Sequence, residues 1–285
     1  MYELIIENEQ GDRLTFNNLD SMYVITDIQG LNPPKATIYT ASSALIDGGK
    51  YTSARAEMRD IKLAFSIEHS AEYARMQMYK VLRVKQPVTI YYKSDYLDVW
   101  TIGYIQTISP SYGAKKQIVT VDILCPSPYL KGAQEIVNEL SNTLKKFHFP
   151  FASTSTPELV MGELQSLSII DIENLGGIET GLIFELYAKN AVTNPIIYNY
   201  VTQEYIQIKY SMQSADLITI NTEKGHKTAT LLRSGVESNL FNYVAEGSTW
   251  LQLELGNNEF TYDVGTGNKA DLSVTIRHFD LYEGV

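Results

Sequence analysis

Within residues 116–130, hydrophobic positions recur at every second residue. Val119, Val121, Ile123 and Cys125 fall on one side, and Ile118, Thr120, Asp122 and Leu124 on the other. That period predicts a β-strand, apolar enough on both faces to lie inside a sheet. Pro126 and Pro128 end it, because proline gives no N–H to a ladder and restricts the residue before it. So abrupt an end marks the last strand of a domain, with a separate β-rich unit on either side.

Ahead of this strand, Tyr2, Leu4 and Ile6 alternate with Glu3, Ile5 and Glu7, and Asn8-Glu-Gln-Gly11 turns the chain into residues 13–16. This predicts an opening hairpin. Strands at 23–28 and 36–41 flank the breaker Gly30-Leu-Asn-Pro-Pro34. After the Asp47-Gly-Gly49 turn, Ile61, Leu63, Phe65 and Ile67 share one face. The row before them, Tyr51, Ser53, Arg55 and Glu57, is polar and predicts a loop or an exposed arm. Only residues 71–84 change to a helical period, with Ala71, Ala74, Met78, Val81 and Leu82 on one stripe. Ser70 is the expected cap, and Glu72 suits the first turn of the helix dipole. Strands at 88–93 and 99–109 complete an antiparallel sheet or small sandwich carrying one helix.

Residues 131–165 have mixed character and read as a linker. Ile136, Leu140, Leu144 and Phe147 form a possible helical stripe, followed by an extended Phe147-His-Phe-Pro-Phe151 and a loose Ala152-Ser-Thr-Ser-Thr-Pro157. From residue 166 to 279, nine short strands recur at the spacing of a β-sandwich. In one of them Leu251, Leu253 and Leu255 point one way and Trp250, Gln252 and Glu254 the other. With the leucines in the core, Trp250 is left on the outer face. There it could stack on a sugar or plug into a partner, or be covered by a neighbouring loop.

A length of 285 residues suits two domains. Twenty tyrosines favour strands and contact surfaces. A net charge of −10 argues against nucleic-acid binding, which needs cations to replace phosphate counterions. Cys125 is the one cysteine, so no intrachain disulfide or thiolate cluster forms, and its strand row makes it a core residue. No basic segment leads into an apolar run, and none approaches the ~20 residues of a membrane span. A soluble protein made in a cytosol is expected. His69, His148, His226 and His278 lie far apart, without zinc spacing. Gly176-Gly-Ile-Glu-Thr-Gly181 reads as a turn and not a phosphate loop, and Asp171 with Glu173 as a solvated strand pair. No catalytic, metal or cofactor residue is expected.

Several stretches, taken in order, resemble the distal tail proteins of long-tailed, non-contractile phages. In the first half these are Arg59-Asp-Ile-Lys-Leu-Ala-Phe65 and Cys125-Pro-Ser-Pro-Tyr-Leu130. In the second they are Ile172-Glu-Asn-Leu-Gly-Gly-Ile-Glu-Thr-Gly181, Asn194-Pro-Ile-Ile-Tyr-Asn199, Glu204-Tyr-Ile-Gln-Ile208, residues 216–222, residues 248–262 and Tyr282-Glu-Gly-Val285. Glu254 departs from the family's pattern, which has proline in this turn. The resemblance implies a mainly β chain: an N-terminal sheet or sandwich domain with one helix (1–130), the linker, and a C-terminal galectin-like β-sandwich (166–285). It also implies a virion protein, assembled in the bacterial cytoplasm as a homohexameric ring. Its partners would be the tail tube protein, a tail-tip protein and receptor-binding or baseplate proteins. DNA would pass the lumen without specific binding, and no membrane is involved. Two edges of the first domain are the candidate contacts between subunits: Tyr51, Arg55 and Arg59 on one, Tyr96, Trp100 and Tyr104 on the other. Trp250 is the candidate outer-face contact. The competing readings are a carbohydrate-binding module acting through Trp250 and a hydrolase, for which the sequence offers no acid–base pair.

Overall fold

The computed structural model describes residues 2–16, 22–43, 46–112, 117–145, 162–166 and 169–285. Among these the chain is mainly β, with one α-helix. It divides into two units, Met1–Ala133 with Leu281–Val285, and Gln134–Asp280. The chain therefore passes from one unit to the other twice.

The first unit is built on a sheet whose strands are β1 (Glu3–Asn8), β2 (Arg13–Phe16), β3 (Tyr23–Gln29), β6 (Arg59–Ile67), β7 (Pro87–Lys93), β8 (Asp98–Pro110) and β9 (Gln117–Cys125), in the order β2-β1-β7-β8-β9-β6-β3. Between β3 and β6 the chain leaves the sheet as a ribbon, β4 (Ala36–Ser43) paired with β5 (Ile46–Ala56). The helix α1 is Ala71–Val81. A short β10 (Leu130–Gly132) pairs with β8 on one side and with Leu281–Tyr282 on the other.

The strand β9 is central, as its pattern predicts, but only one of its faces is buried. Val119, Val121, Ile123 and Cys125 are in the core, whereas Ile118 on the opposite face is 45% exposed. The inward rows of β1, β6, β7 and β9 meet Ala74, Met78 and Val81 of α1. Phe16, Tyr23 and Phe65 pack edge-on or tilted, with centroids 4.9–5.7 Å apart. Tyr23 Oη donates to Ala74 O at 2.7 Å, tying the edge strand to the helix, and burial lifts its pKa to about 12. Ser70 does not cap the helix. It sits at φ 47, and its side chain makes no capping bond.

The second unit packs two sheets over one core. One has the order Ile136–Glu139, Leu272–His278, Ile183–Ala188, Leu217–Asn221, Thr228–Arg233, Val236–Asn239. The other has the order Ile170–Asn174, Gly256–Asp263, Ile196–Asn199, Glu204–Gln207. Phe184 of the first meets Phe260 of the second in a T-shaped contact, centroids 6.1 Å apart, so this is the expected β-sandwich.

Two local readings are corrected here. The helical stripe through Ile136 does not form. Ile136–Glu139 pairs with Leu272–His278 instead, because the edge of that sheet offers backbone partners that outweigh the side-chain period. Phe147 and residues 152–157 lie outside the described residues. The leucine row stops early: Leu251 and Leu253 are buried, but Gly256 at φ +80 turns the chain and Leu255 is 58% exposed. Glu254 N donates to Asn258 Oδ1 at 3.0 Å, a bond that proline at this position could not make.

Candidate assembly surfaces

The ribbon β4–β5 carries two of the predicted contacts. Tyr51 and Arg55 are exposed on β5, opposite Thr40 and Thr37. Ile38 and Tyr39 are exposed on β4. Among the described residues no position of the ribbon beyond its root is buried, and its strands pair only with each other. Such a two-stranded ribbon is marginal alone in water. The polar row read as an exposed arm is one.

Arg59, grouped with these residues by sequence, is not on the surface. It opens β6 in the inward row that continues through Ile61, Leu63, Phe65 and Ile67, and it is 2% exposed. A buried guanidinium requires acceptors, and it finds four backbone carbonyls. Nε donates to Pro128 O at 2.9 Å, Nη1 to Asn32 O at 2.9 Å and to Gly30 O, and Nη2 to Glu283 O at 2.5 Å. The sequence signal was available: an arginine in phase with a core row must be neutralised or hydrogen-bonded from within.

The second predicted edge lies on β8. Here Val99, Thr101 and Ile105 face the core, while Trp100, Ile102 and Tyr104 face the other way. Pairing aligns Ile5, Tyr91, Trp100 and Lys131 in one row across four strands, with Lys131 Nζ 5.8 Å from the Trp100 ring centre. Trp100 is half-buried, and Ile102 and Tyr104 are exposed. Tyr96 sits in the turn between β7 and β8 and is 99% exposed. That turn is closed by Ser94 N donating to Leu97 O at 3.0 Å. Trp100 and Tyr104 therefore share a sheet face, and Tyr96 projects from its end.

Trp250 is half-buried against the sandwich core and not left on an open face. Phe241 stacks on it at 5.4 Å and 27°, and Lys227 Nζ stands 5.6 Å from its ring centre. Stacking on a sugar needs a bare ring face, and this indole already has an aromatic ring and an ammonium against it.

No group of three His, Cys, Asp or Glu side chains that could hold a metal occurs among the described residues. Burial pushes the Cys125 thiol up to about 11, far from nucleophilic range. Asp171 and Glu173 are both exposed on their strand, as are His69 and His226 on their loops, while His148 lies outside the described residues. His278 is buried, its Nε2 3.7 Å from Asp280 Oδ1, and burial holds its pKa down against the nearby carboxylates of Asp280 and Glu135. Asp216, also buried, is held below the usual carboxylate range by its hydrogen bonds from Arg233. These are structural groups.

Residues 175–279, inside the second unit, match the family model described as siphovirus-type tail component, C-terminal domain. No curated protein matches the chain by sequence. Among solved structures, the chain is similar to SPP1 Dit, described as a paradigm of the hub adsorption apparatus in phages infecting Gram-positive bacteria. The TM-score is 0.68, with 12% identity and 98% of each chain covered. It is also similar to a chain of the phage P2 baseplate in its activated conformation with calcium, at TM-score 0.51, 15% identity and 98% of each chain. Residues 175–279 of the second unit thus match the siphovirus-type tail component C-terminal domain, and the fold of the whole chain is similar to that of SPP1 Dit.

Proposed function

We propose that the chain forms a homohexameric ring joining the tail tube to the tail tip and receptor-binding apparatus, and that it is not an enzyme. The observation that carries this reading is the β4–β5 ribbon, with Ile38, Tyr39 and Tyr51 exposed and no strand of its own chain beside it. A ring subunit needs two different surfaces, each matching the opposite surface of its neighbour. The ribbon supplies one. The outer face of β8, with Trp100, Ile102, Tyr104 and the Tyr96 turn, supplies the other. A stable contact of this kind buries roughly 800 Å² per partner.

In this reading the ring belongs to residues 1–130, and the sandwich of residues 166–285 faces outward to hold the other tail-tip, baseplate or receptor-binding proteins. The net charge of −10 suits a lumen through which DNA slides, since like charge withholds the counterion release that binding needs. The particle assembles in the bacterial cytoplasm. Mass measurement of the purified chain, with its tube partner if required, is expected to give six chain masses, and negative-stain imaging a ring, with no signal on a glycan array. A stable monomer under all these conditions, or glycan binding abolished by Trp250→Ala, would sink it.

A further inference from the structure

The root of the ribbon is held by residues from the far end of the sequence. After β3, the chain turns at Gly30, whose φ is +90 and where a Cβ would lie 1.9 Å from Asp60 O. It then runs through Leu31–Pro34 into β4. On return, Glu57 N donates to Lys35 O at 2.8 Å, and Arg59 drops into the core to bind Gly30 O and Asn32 O. On the other side of the same short segment lies Leu281–Val285. Leu281 and Tyr282 pair with Lys131 and Leu130. Glu283 O accepts a hydrogen bond from Arg59 Nη2, 224 positions away in sequence. Gly284 presses so closely on the root that a Cβ there would lie 2.9 Å from Pro33 N and 3.0 Å from Asn32 C. Val285 N then donates to Leu31 O at 3.2 Å.

We infer that Leu281–Val285 is a completion latch: it fixes the root of the β4–β5 ribbon, so that the ribbon is presented in its working orientation only once residues 281–285 have been made. The physical reason is Arg59. A buried cation needs all its acceptors, and one of its four carbonyls belongs to Glu283. Without Glu283 the guanidinium draws in water and loosens its grip on Gly30 and Asn32, while Leu31 and Pro33 lose Val285 and Gly284. In chain order, residues 281–285 follow the entire second unit. A nascent chain thus completes the second unit's core before its ribbon is locked, and this delays association between copies until both units exist. The latch follows from contacts within the first unit, and its link to association rests on the ring reading above.

The test compares the full chain with a chain ending at Asp280 and with full-length Gly284→Val. Two rates are read on each: hydrogen exchange in peptides covering residues 30–36 and 56–62, and tryptic cleavage after Lys35. Both variants are expected to exchange there about tenfold faster and to be cut at least about fivefold faster, with β1, β7 and β9 retaining their protection. Rates unchanged at the root, or raised equally throughout the sheet, would overturn the latch. Should the shortened chain fail to fold, Gly284→Val decides alone, because it leaves every other residue in place. Mass measurement on the same samples separates the two ideas. Faster root exchange with no assembly of even the full chain removes the ring and leaves the latch standing. Assembly of both variants equal to that of the full chain removes the latch's role in association.

Discussion

At the scale of single residues, the most informative side chains are polar ones in core positions. Arg59 and His278 both stand in rows that otherwise point inward, Arg59 with Ile61 and Leu63, His278 with Val274 and Ile276. Arg59 keeps its charge and gathers carbonyls. His278 gives up its charge. Its imidazole is held neutral by burial, with the carboxylates of Asp280 and Glu135 pulling the other way and Glu135 itself bonded to Arg277. The sign follows directly. The unfolded imidazole titrates near 6.5 and the folded one lower, so the unfolded state takes up the proton first. The stability His278 contributes is complete above about pH 6.5 and is lost as pH falls from there through the lower folded value. Urea midpoints at pH 7.5 and 5 should therefore differ, and His278→Phe should flatten the difference. An unchanged slope in that variant would assign the pH dependence elsewhere.

At the scale of elements, turns decide what the hydrophobic period leaves open. The row Leu251, Leu253, Leu255 has one period in sequence but only two buried members, because the strand ends at Leu253 and the third leucine lies in the turn that Gly256 closes. Asn258, 1% exposed, holds that turn by donating to Glu254 O and Gly256 O and accepting from Glu254 N. A proline in place of Glu254 would remove one donor and leave Asn258 Oδ1 short of a partner in a buried place. Glu254→Pro is therefore expected to cost about 1–3 kcal/mol in chemical unfolding. A neutral or stabilising result would mean that the turn re-forms around a different set of bonds. The ribbon shows the converse: its polar row gave away its exposure, while its partner strand was set only by the pairing of residues 37–41 with residues 50–55.

At the scale of the whole molecule, the chain joins its two units twice, once between Ala133 and Gln134 and again between Asp280 and Leu281. A sequence reading with one linker expects one protease cut to release two folded pieces. The double crossing predicts otherwise. A single nick between residues 133 and 134 should leave the pieces together on a native gel, held by Leu281–Tyr282 on β10 and by Arg59 on Glu283 O. A second cut near residue 280 should be required for release. Prompt separation after the first nick would show that the return segment holds weakly. For the same reason a first-unit fragment for assembly work is better built as residues 1–133 joined to 281–285 than as residues 1–130.

The sequence alone determined the β class, the helix that begins at Ala71 and its inward stripe, the exposure of the polar row Tyr51, Ser53 and Arg55, and the strand β9. Each of these rests on a period of two or 3.6 within a few neighbouring residues, and local sterics and burial enforce that period. It also carried the resemblance to distal tail proteins, because the order of short motifs survives where their pairing is invisible. Only the tertiary structure decided that Arg59 is interior, that Trp250 is covered by Phe241 and Lys227, and that Leu281–Val285 returns to the first unit. Each of those depends on partners outside the element's own pattern: a carbonyl 224 residues away for Arg59, a ring from the 3-10 turn Phe241–Tyr243 for Trp250, a short edge strand for the return segment. A periodic pattern records which side of an element is buried. It holds no record of what buries it.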